Sequence, residues 1–163
     1  MISLAKSIIT SEPGQLDIII QRELSAPCEL VFIMYTDSTV IPKWWGPRCF
    51  TTVVECMDVR KGGLWRYIQT DQEGGVHAFN GVYHEIDAPR RIVRTFEYEG
   101  APGDVLLETV TLEQLPDGGT MLIAQSVFQT SEARDAMLRA GAESGGDEGM
   151  ERLEELLAQI QSS

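Results

Sequence analysis

Two periodicities divide the chain. Apolar residues alternate from Leu16 to Leu24, with Ile18 and Ile20 on one face and Ile19 on the other, which predicts a strand. Residues 4–10 predict a shorter strand before it, separated by a turn at Glu12-Pro13-Gly14. Leu30, Val31, Met34 and Tyr35 then fall at helical spacing, so Pro27 to Tyr35 predicts a short amphipathic helix with Ser25 as N-cap and Pro27 in its first turn. Asp37 and Ser38 can cap a second helical turn that stops at Ile41-Pro42. From Phe50 onward the period is two. It predicts strands over Phe50–Met57, Leu64–Thr70, Val76–Ile86, Ile92–Tyr98, Val105–Leu115 and Thr120–Gln129, joined by turns rich in Gly, Asp and Pro. Gly81 stands inside a strand, where it marks a bulge or sharp bend.

The last part of the chain returns to helical spacing. Ser131 is an N-cap candidate for a helix from Glu132, with Ala133, Ala136, Met137 and Ala140 on one face. Ser144-Gly145-Gly146 interrupts or bends it. Asp147 to about Ile160 then carries Met150, Leu153, Leu157 and Ile160 as a stripe able to face a sheet, opposite a wet face of Glu151, Arg152, Glu154 and Glu155.

One strand, two short helices, six strands and a terminal helix predict an α+β layer fold: a curved antiparallel sheet of about seven strands around a long C-terminal helix. One helix cannot fill the concave face of such a sheet, so large side chains or a cavity must occupy the rest. Strand parity places Trp65 with Tyr67, His77 with Phe79, Tyr83 and Glu85, and Arg94 with Phe96 and Tyr98, giving one aromatic-rich inner surface. Met121, Phe128, Met137 and Met150 are further candidates to line it. Plain core packing is the competing reading of all these residues. A mostly apolar cavity with a few polar groups is the usual form of a small-molecule site.

Pro42-Lys43-Trp44-Trp45-Gly46-Pro47 interrupts both patterns. Adjacent tryptophans cannot both face one narrow direction on a regular element. The segment reads as a rigid loop in which one of Trp44 and Trp45 packs under the short helices and the other closes the mouth of the cavity.

Composition narrows the function classes. The chain has 163 residues, 43% of them apolar and 23% charged, and the whole is read as one domain with residues 1–14 as an N-terminal extension. Its net charge of −12 argues against nucleic acid as a partner. No apolar run approaches the roughly 20 residues of a membrane span, and the N-terminus lacks the apolar centre of a signal peptide, so a cytoplasmic protein without a membrane partner is expected. Cys28, Cys49 and Cys56 have no paired spacing and read as free, mostly buried thiols. With His77 and His84 as the only histidines, neither a metal site nor a cofactor is expected. The strand edge near the N-terminus leaves a homodimer open.

Several segments together resemble a known family. They are Ser25-Ala26-Pro27-x-Glu29-Leu30-Val31-Phe32, Tyr35-Thr36-Asp37, Trp44-Trp45-Gly46-Pro47, Asp58-Val59-Arg60-x-Gly62-Gly63-x-Trp65-Arg66, Gly81-x-Tyr83-x-Glu85-Ile86 and Pro89-x-Arg91-Ile92-Val93-x-Thr95-Phe96. In order and spacing they resemble the START-like (SRPBCC) superfamily, and within it the single-domain bacterial type of the family named after the heat-shock-protein-90 ATPase activator homologue. The resemblance covers roughly residues 16 to 160. It implies the helix-grip (START-like, Bet v 1-like) fold with a deep apolar cavity between sheet and terminal helix. Many relatives have a Trp after a Gly at the start of that helix. Here the corresponding stretch is Gly145-Gly146-Asp147-Glu148-Gly149, and the resemblance then implies more room, or more flexibility, at that end of the cavity.

No nucleophile–base–orienter motif is present. His77 or Glu85 could serve as a general base, and Arg66 or Arg94 could hold an anionic group. Three functions follow: binding of a small hydrophobic molecule, a polyketide cyclase- or hydrolase-like activity in the same cavity, or a chaperone-interacting co-regulator. The first is expected, and no catalytic residue is assigned.

Overall fold

A computed structural model of the chain describes residues 7–143 and 147–163. Its elements are β1 (Ile8–Thr10), β2 (Asp17–Leu24), α1 (Cys28–Thr36), α2 (Ile41–Trp44), β3 (Thr51–Met57), β4 (Leu64–Thr70), β5 (Val76–Asp87), β6 (Arg91–Tyr98), β7 (Val105–Gln114), β8 (Thr120–Val127), α3 (Ser131–Glu143) and α4 (Glu148–Ser162). All eight strands form one antiparallel sheet in the order β1-β2-β8-β7-β6-β5-β4-β3. Sequential strands from β3 to β8 are neighbours, as short turns require, and β2 closes the meander by pairing with β8. The eighth strand is the short one expected before β2: Ile8–Thr10 adds to its edge, beside the seven of the main sheet.

Parity decides which side chains face inward. Trp65, Tyr67 and Gln69 of β4, Ile92 and Arg94 of β6, Leu106, Val110 and Leu112 of β7, and Leu122 of β8 are all buried. The main core joins this face to Val31, Phe32 and Met34 of α1, Trp44 of α2, and Leu153 and Leu157 of α4. A smaller cluster of Ile18, Leu106 and Phe128 packs under Ala133 and Leu138 of α3. Most of the predicted stripe on α4 therefore does face the sheet, but its last member, Ile160, is exposed.

Several local expectations are corrected. Pro27, not Ser25, is the residue at the start of α1. Thr130 rather than Ser131 caps α3, its hydroxyl accepting from the Ala133 N–H at 3.1 Å. The helical turn expected to stop at Pro42 instead runs from Ile41 to Trp44, with Pro42 in its first turn, where a missing N–H costs no hydrogen bond. Cys28 is buried, but Cys49 and Cys56 are exposed; all three are free. The Ser144-Gly145-Gly146 interruption lies outside the described residues. The register shifts between Tyr83 and Glu85 and between Val54 and Cys56, not at Gly81. Gly81 is needed for close approach instead: a Cβ there would collide with the Thr95 carbonyl oxygen and the Trp65 indole nitrogen.

Candidate functional site

The concave face is apolar with one polar band across it. Tyr83 of β5 pairs with Arg94 of β6, Arg94 with Glu108 of β7, and Glu108 with Ser126 of β8, so the four stand in one row. Arg94 Nε donates to Glu108 Oε1 at 2.7 Å, and Arg94 Nη1 donates to the Tyr67 hydroxyl at 3.1 Å. The guanidinium carbon also lies 3.9 Å from the centroid of the Trp65 ring, so the charge rests on an aromatic face as well as on a carboxylate. Burial works against the charge on Arg94, but Glu108 and the tyrosines outweigh it and hold the group protonated. A buried guanidinium is tolerable only when answered in this way.

Tyr35 reaches toward the band from α1. Burial, and after it the neighbouring Glu108, pushes its phenol above the ordinary tyrosine range. Tyr83 is similarly pushed up, first by burial and then by Tyr67. The Tyr83 hydroxyl is buried, with Tyr67 and Arg94 as its polar neighbours. A second inward arginine, Arg22 of β2, is bound by α4: its Nη1 meets Asp147 Oδ2 at 2.7 Å and its Nη2 meets Glu154 Oε2 at 3.2 Å. The Ser7 hydroxyl donates to the same Asp147 carboxylate.

The two rings of the Trp-Trp segment face different ways. Trp44 ends α2 and is buried, its indole N–H donating to the Met34 carbonyl at 3.0 Å. Trp45 leaves the helix with ψ 125°, an extended conformation that turns its ring the other way. Its ring meets Tyr67 and Phe79 edge-on, with centroids 5.0 and 5.2 Å apart, and lies 6.3 Å from Phe96. Gly46 follows with φ +85°, beside the buried Gln69 side chain. The segment is fixed to α4 by Arg152, whose guanidinium donates to the carbonyls of Lys43, Trp45, Gly46 and Pro47.

Of the residues singled out from the sequence, Trp45, Trp65, Tyr67, Phe79, Tyr83, Arg94, Phe96 and Tyr98 come together on this face. Tyr98 and Phe79 have ring centroids 5.2 Å apart, and Phe96 and Trp65 5.5 Å. Met150 packs against the main core from α4. Phe128 belongs to the smaller cluster under α3. The others are corrections. Glu85 is exposed and paired with Arg91 at 2.9 Å, because the bulge after Tyr83 sends it to the outer face. Met121 stands opposite the exposed Glu23 and Glu113, on the outer side of the sheet. Met137 is 37% exposed, since α3 turns Ala133, Arg134 and Leu138 toward the protein instead. His77 is half-buried, with Nδ1 3.0 Å from the Tyr98 hydroxyl and Nε2 3.2 Å from Asp71 Oδ2. Both bases named from the sequence thus have other partners. Arg66 lies outside with Glu55 and Glu99 and is not available to an interior anion. Arg90 and Arg91 are likewise paired, with Asp87 and Glu85.

Sequence reasoning missed Glu108, Arg22 and Tyr35. The signal for the first two was present: each is a single charged residue in an otherwise apolar alternate row, Leu106-x-Glu108-x-Val110-x-Leu112 and Ile18-x-Ile20-x-Arg22-x-Leu24. Among the described residues no group of His, Cys, Asp and Glu is arranged to hold a metal ion, and no helix is long and apolar enough to cross a membrane. Two surface hollows, of about 340 and 440 Å³, lie away from the aromatic face, one at Lys43, Arg48 and Arg152 and one at Leu16 and Gln125.

A curved antiparallel sheet closed over a C-terminal helix, with two short helices inserted after the first long strand, defines a helix-grip protein. The family model described as "Activator of Hsp90 ATPase homolog 1-like protein" matches residues 25–158, and the chain belongs to that family. Solved structures agree. A protein from Arthrobacter aurescens is similar with a TM-score of 0.84 at 25% identity, over 93% of this chain and 91% of its own. One from Rhodobacter sphaeroides gives 0.82 at 26%, over 94% and 99%. The AHSA1 protein from Silicibacter pomeroyi gives 0.71 at 19%, over 88% and 99%, a likeness of fold alone. Comparison with curated proteins returns no match.

Proposed function

We propose that the chain binds a small, largely apolar molecule between the concave face of the sheet and α4, with Trp45 at the entrance. One observation carries this reading. Trp45, Phe96 and Tyr98 face inward around Phe79 and each meets its ring, yet all four stay only partly buried, whereas Trp65, Tyr67 and Tyr83 beneath them are fully enclosed. Inward aromatics that solvent still reaches form a wall that an apolar molecule can cover, removing their remaining surface from water. The helix-grip fold is compatible with this use.

The test is fluorescence titration with phenylnaphthylamine, a neutral apolar probe that brightens on leaving water. Saturable binding at one site per chain is expected, weakened by Trp45→Ala and unaffected by Met137→Ala on the outer side of α3. A linear, non-saturating signal, or equal binding by both variants, would remove the reading.

A further inference from the structure

Asp71, His77 and Tyr98 form a polar group at the edge of the aromatic wall. His77 pairs with Gln69 of β4 and stands two residues before Phe79, and Tyr98 pairs with Phe79 from β6. The His77 ring stacks on Phe50, with centroids 5.6 Å apart. A Cβ at Gly100 would collide with the tip of the Tyr98 ring, so backbone packs closely against that tip. None of the three is enclosed: the side chains of His77 and Asp71 are 30% and 26% exposed, and Tyr98 is only partly buried.

The direction of each hydrogen bond follows from the partners. Asp71 Oδ1 accepts from the N–H groups of Glu73 and Gly75 at 2.9 and 2.7 Å. The Gly75 bond, and after it His77, holds the carboxyl below the ordinary carboxylate range, so Asp71 is an acceptor only. Its Oδ2 lies 3.2 Å from His77 Nε2, which must therefore carry a proton. A neutral ring protonated there has a bare Nδ1. The Tyr98 hydroxyl, 3.0 Å from Nδ1, has to donate to it. Its one proton is thus committed to His77, while its remaining lone pair has no protein donor among the described residues. What Tyr98 offers a molecule lying on the wall is an acceptor.

Resting on the binding reading above, we infer that the bound molecule carries a hydroxyl at the end that lies on Tyr98 and donates it to the Tyr98 oxygen, with His77 and Asp71 as positioning residues that set the direction. An ether oxygen in the same place brings lone pair against lone pair and is disfavoured. Protonating His77 reverses the direction: Nδ1–H donates to the Tyr98 oxygen, and the phenol proton turns outward to meet an ether. The groups that face the ring are Asp71 from the β4–β5 turn, Tyr98 from β6, Gln69 from β4 and Phe50 ahead of β3, the last two uncharged. No other acid pairs with it among the described residues.

Naphthol and methoxynaphthalene share one apolar body and differ in the donor. Calorimetry or tryptophan quenching gives the ratio of their affinities, in which any general weakening of the wall cancels. At about pH 8 the ratio of naphthol to methoxynaphthalene affinity is expected to be roughly tenfold higher in the wild-type chain than in Tyr98→Phe. At about pH 5 it is expected to fall several-fold in the wild type and in His84→Gln, and to stay constant in His77→Leu. The wild-type comparison between the two pH values needs no variant, so a misfolded variant leaves the test intact. A wild-type ratio equal to that of Tyr98→Phe, a ratio unchanged with pH, or a pH effect that survives His77→Leu would each overturn the inference and leave the binding reading standing. Failure of both probes to bind would overturn both.

Discussion

Arg152 of α4 donates to the carbonyl of Gly46 across 2.8 Å, and the same guanidinium reaches the carbonyls of Lys43, Trp45 and Pro47. One side chain thus partners the carbonyls of Lys43 and Gly46 and joins Thr52 and Gln69 at the carbonyl of Trp45 and the Phe50 N–H at that of Pro47. Burial, and then repulsion from Arg48, lowers its pKa, and the attraction of Glu148 and Glu155 only partly offsets them. Arg152→Ala is expected to lose about 1.5–3 kcal/mol of unfolding free energy, the range for hydrogen bonds to a charged group. Its tryptophan emission should shift to longer wavelength as the Trp45 segment loosens. Denaturant unfolding and emission spectra measure both. Unchanged stability and emission would mean that other contacts hold the segment.

Trp44 and Trp45 should respond differently to truncation. Trp44→Ala removes a fully buried indole and its bond to Met34, so a loss of about 3–5 kcal/mol is expected. Trp45→Ala removes a half-buried ring, and a smaller loss of about 1–3 kcal/mol is expected together with weaker binding of phenylnaphthylamine. Equal stability losses with unchanged probe binding would make the whole segment structural.

Removing one member of the Arg94–Glu108 pair strands the other in the interior. Glu108→Leu alone should therefore cost about 3–5 kcal/mol, and Arg94→Met alone a similar amount. The double variant Arg94→Met/Glu108→Leu should recover most of that loss, because no unpaired charge remains. A double-mutant cycle by denaturant unfolding reads the coupling. Simple additivity of the two losses would show that the pair is not coupled.

Acid sensitivity has a readable source on the outer face. Arg66, and then Asn80, hold the Glu99 carboxyl down from the ordinary 4.5 to about 2. A carboxylate depressed in the folded state contributes stability above its unfolded pKa and loses it as pH falls through the folded one. The contribution of Glu99 should be complete above about pH 4.5 and gone below about pH 2. The difference in melting temperature between wild type and Glu99→Gln should shrink over that window, and at neutral pH it should shrink with added salt, because the pair is exposed. A constant difference across the window would exclude this assignment.

The fold was legible because its signals are periodic. The six strands from Phe50 onward alternate cleanly, and their turns carry Gly residues such as Gly62 and Gly118 at positive φ, so the meander follows from local pattern. The aromatic face was legible for the same reason as far as Tyr83, and failed one step later. Strict alternation puts Glu85 inside, and nothing in a single sequence announces an extra residue. Met137 failed because three faces of α3 carry apolar side chains, and only the docking of Leu138 and Arg134 chooses among them. Glu108 and Arg22 were passed over because charge on a strand reads as surface. Their apolar neighbours in the same alternate row were the evidence against that.

The bulge in β5 has a consequence for what the interior can tolerate. His84 and Glu85 together occupy the outer face, so that Tyr83 before them and Ile86 after them can both point inward. The strand is in effect two half-strands out of phase, joined by one surplus residue. Removing His84 would put the halves back in step with Glu85 still outside and Ile86 still inside, whereas straightening the strand with every residue kept would turn Glu85 inward and Ile86 outward. The surplus residue is what lets a charged and an apolar neighbour in the same strand each reach the solvent or the core that suits it.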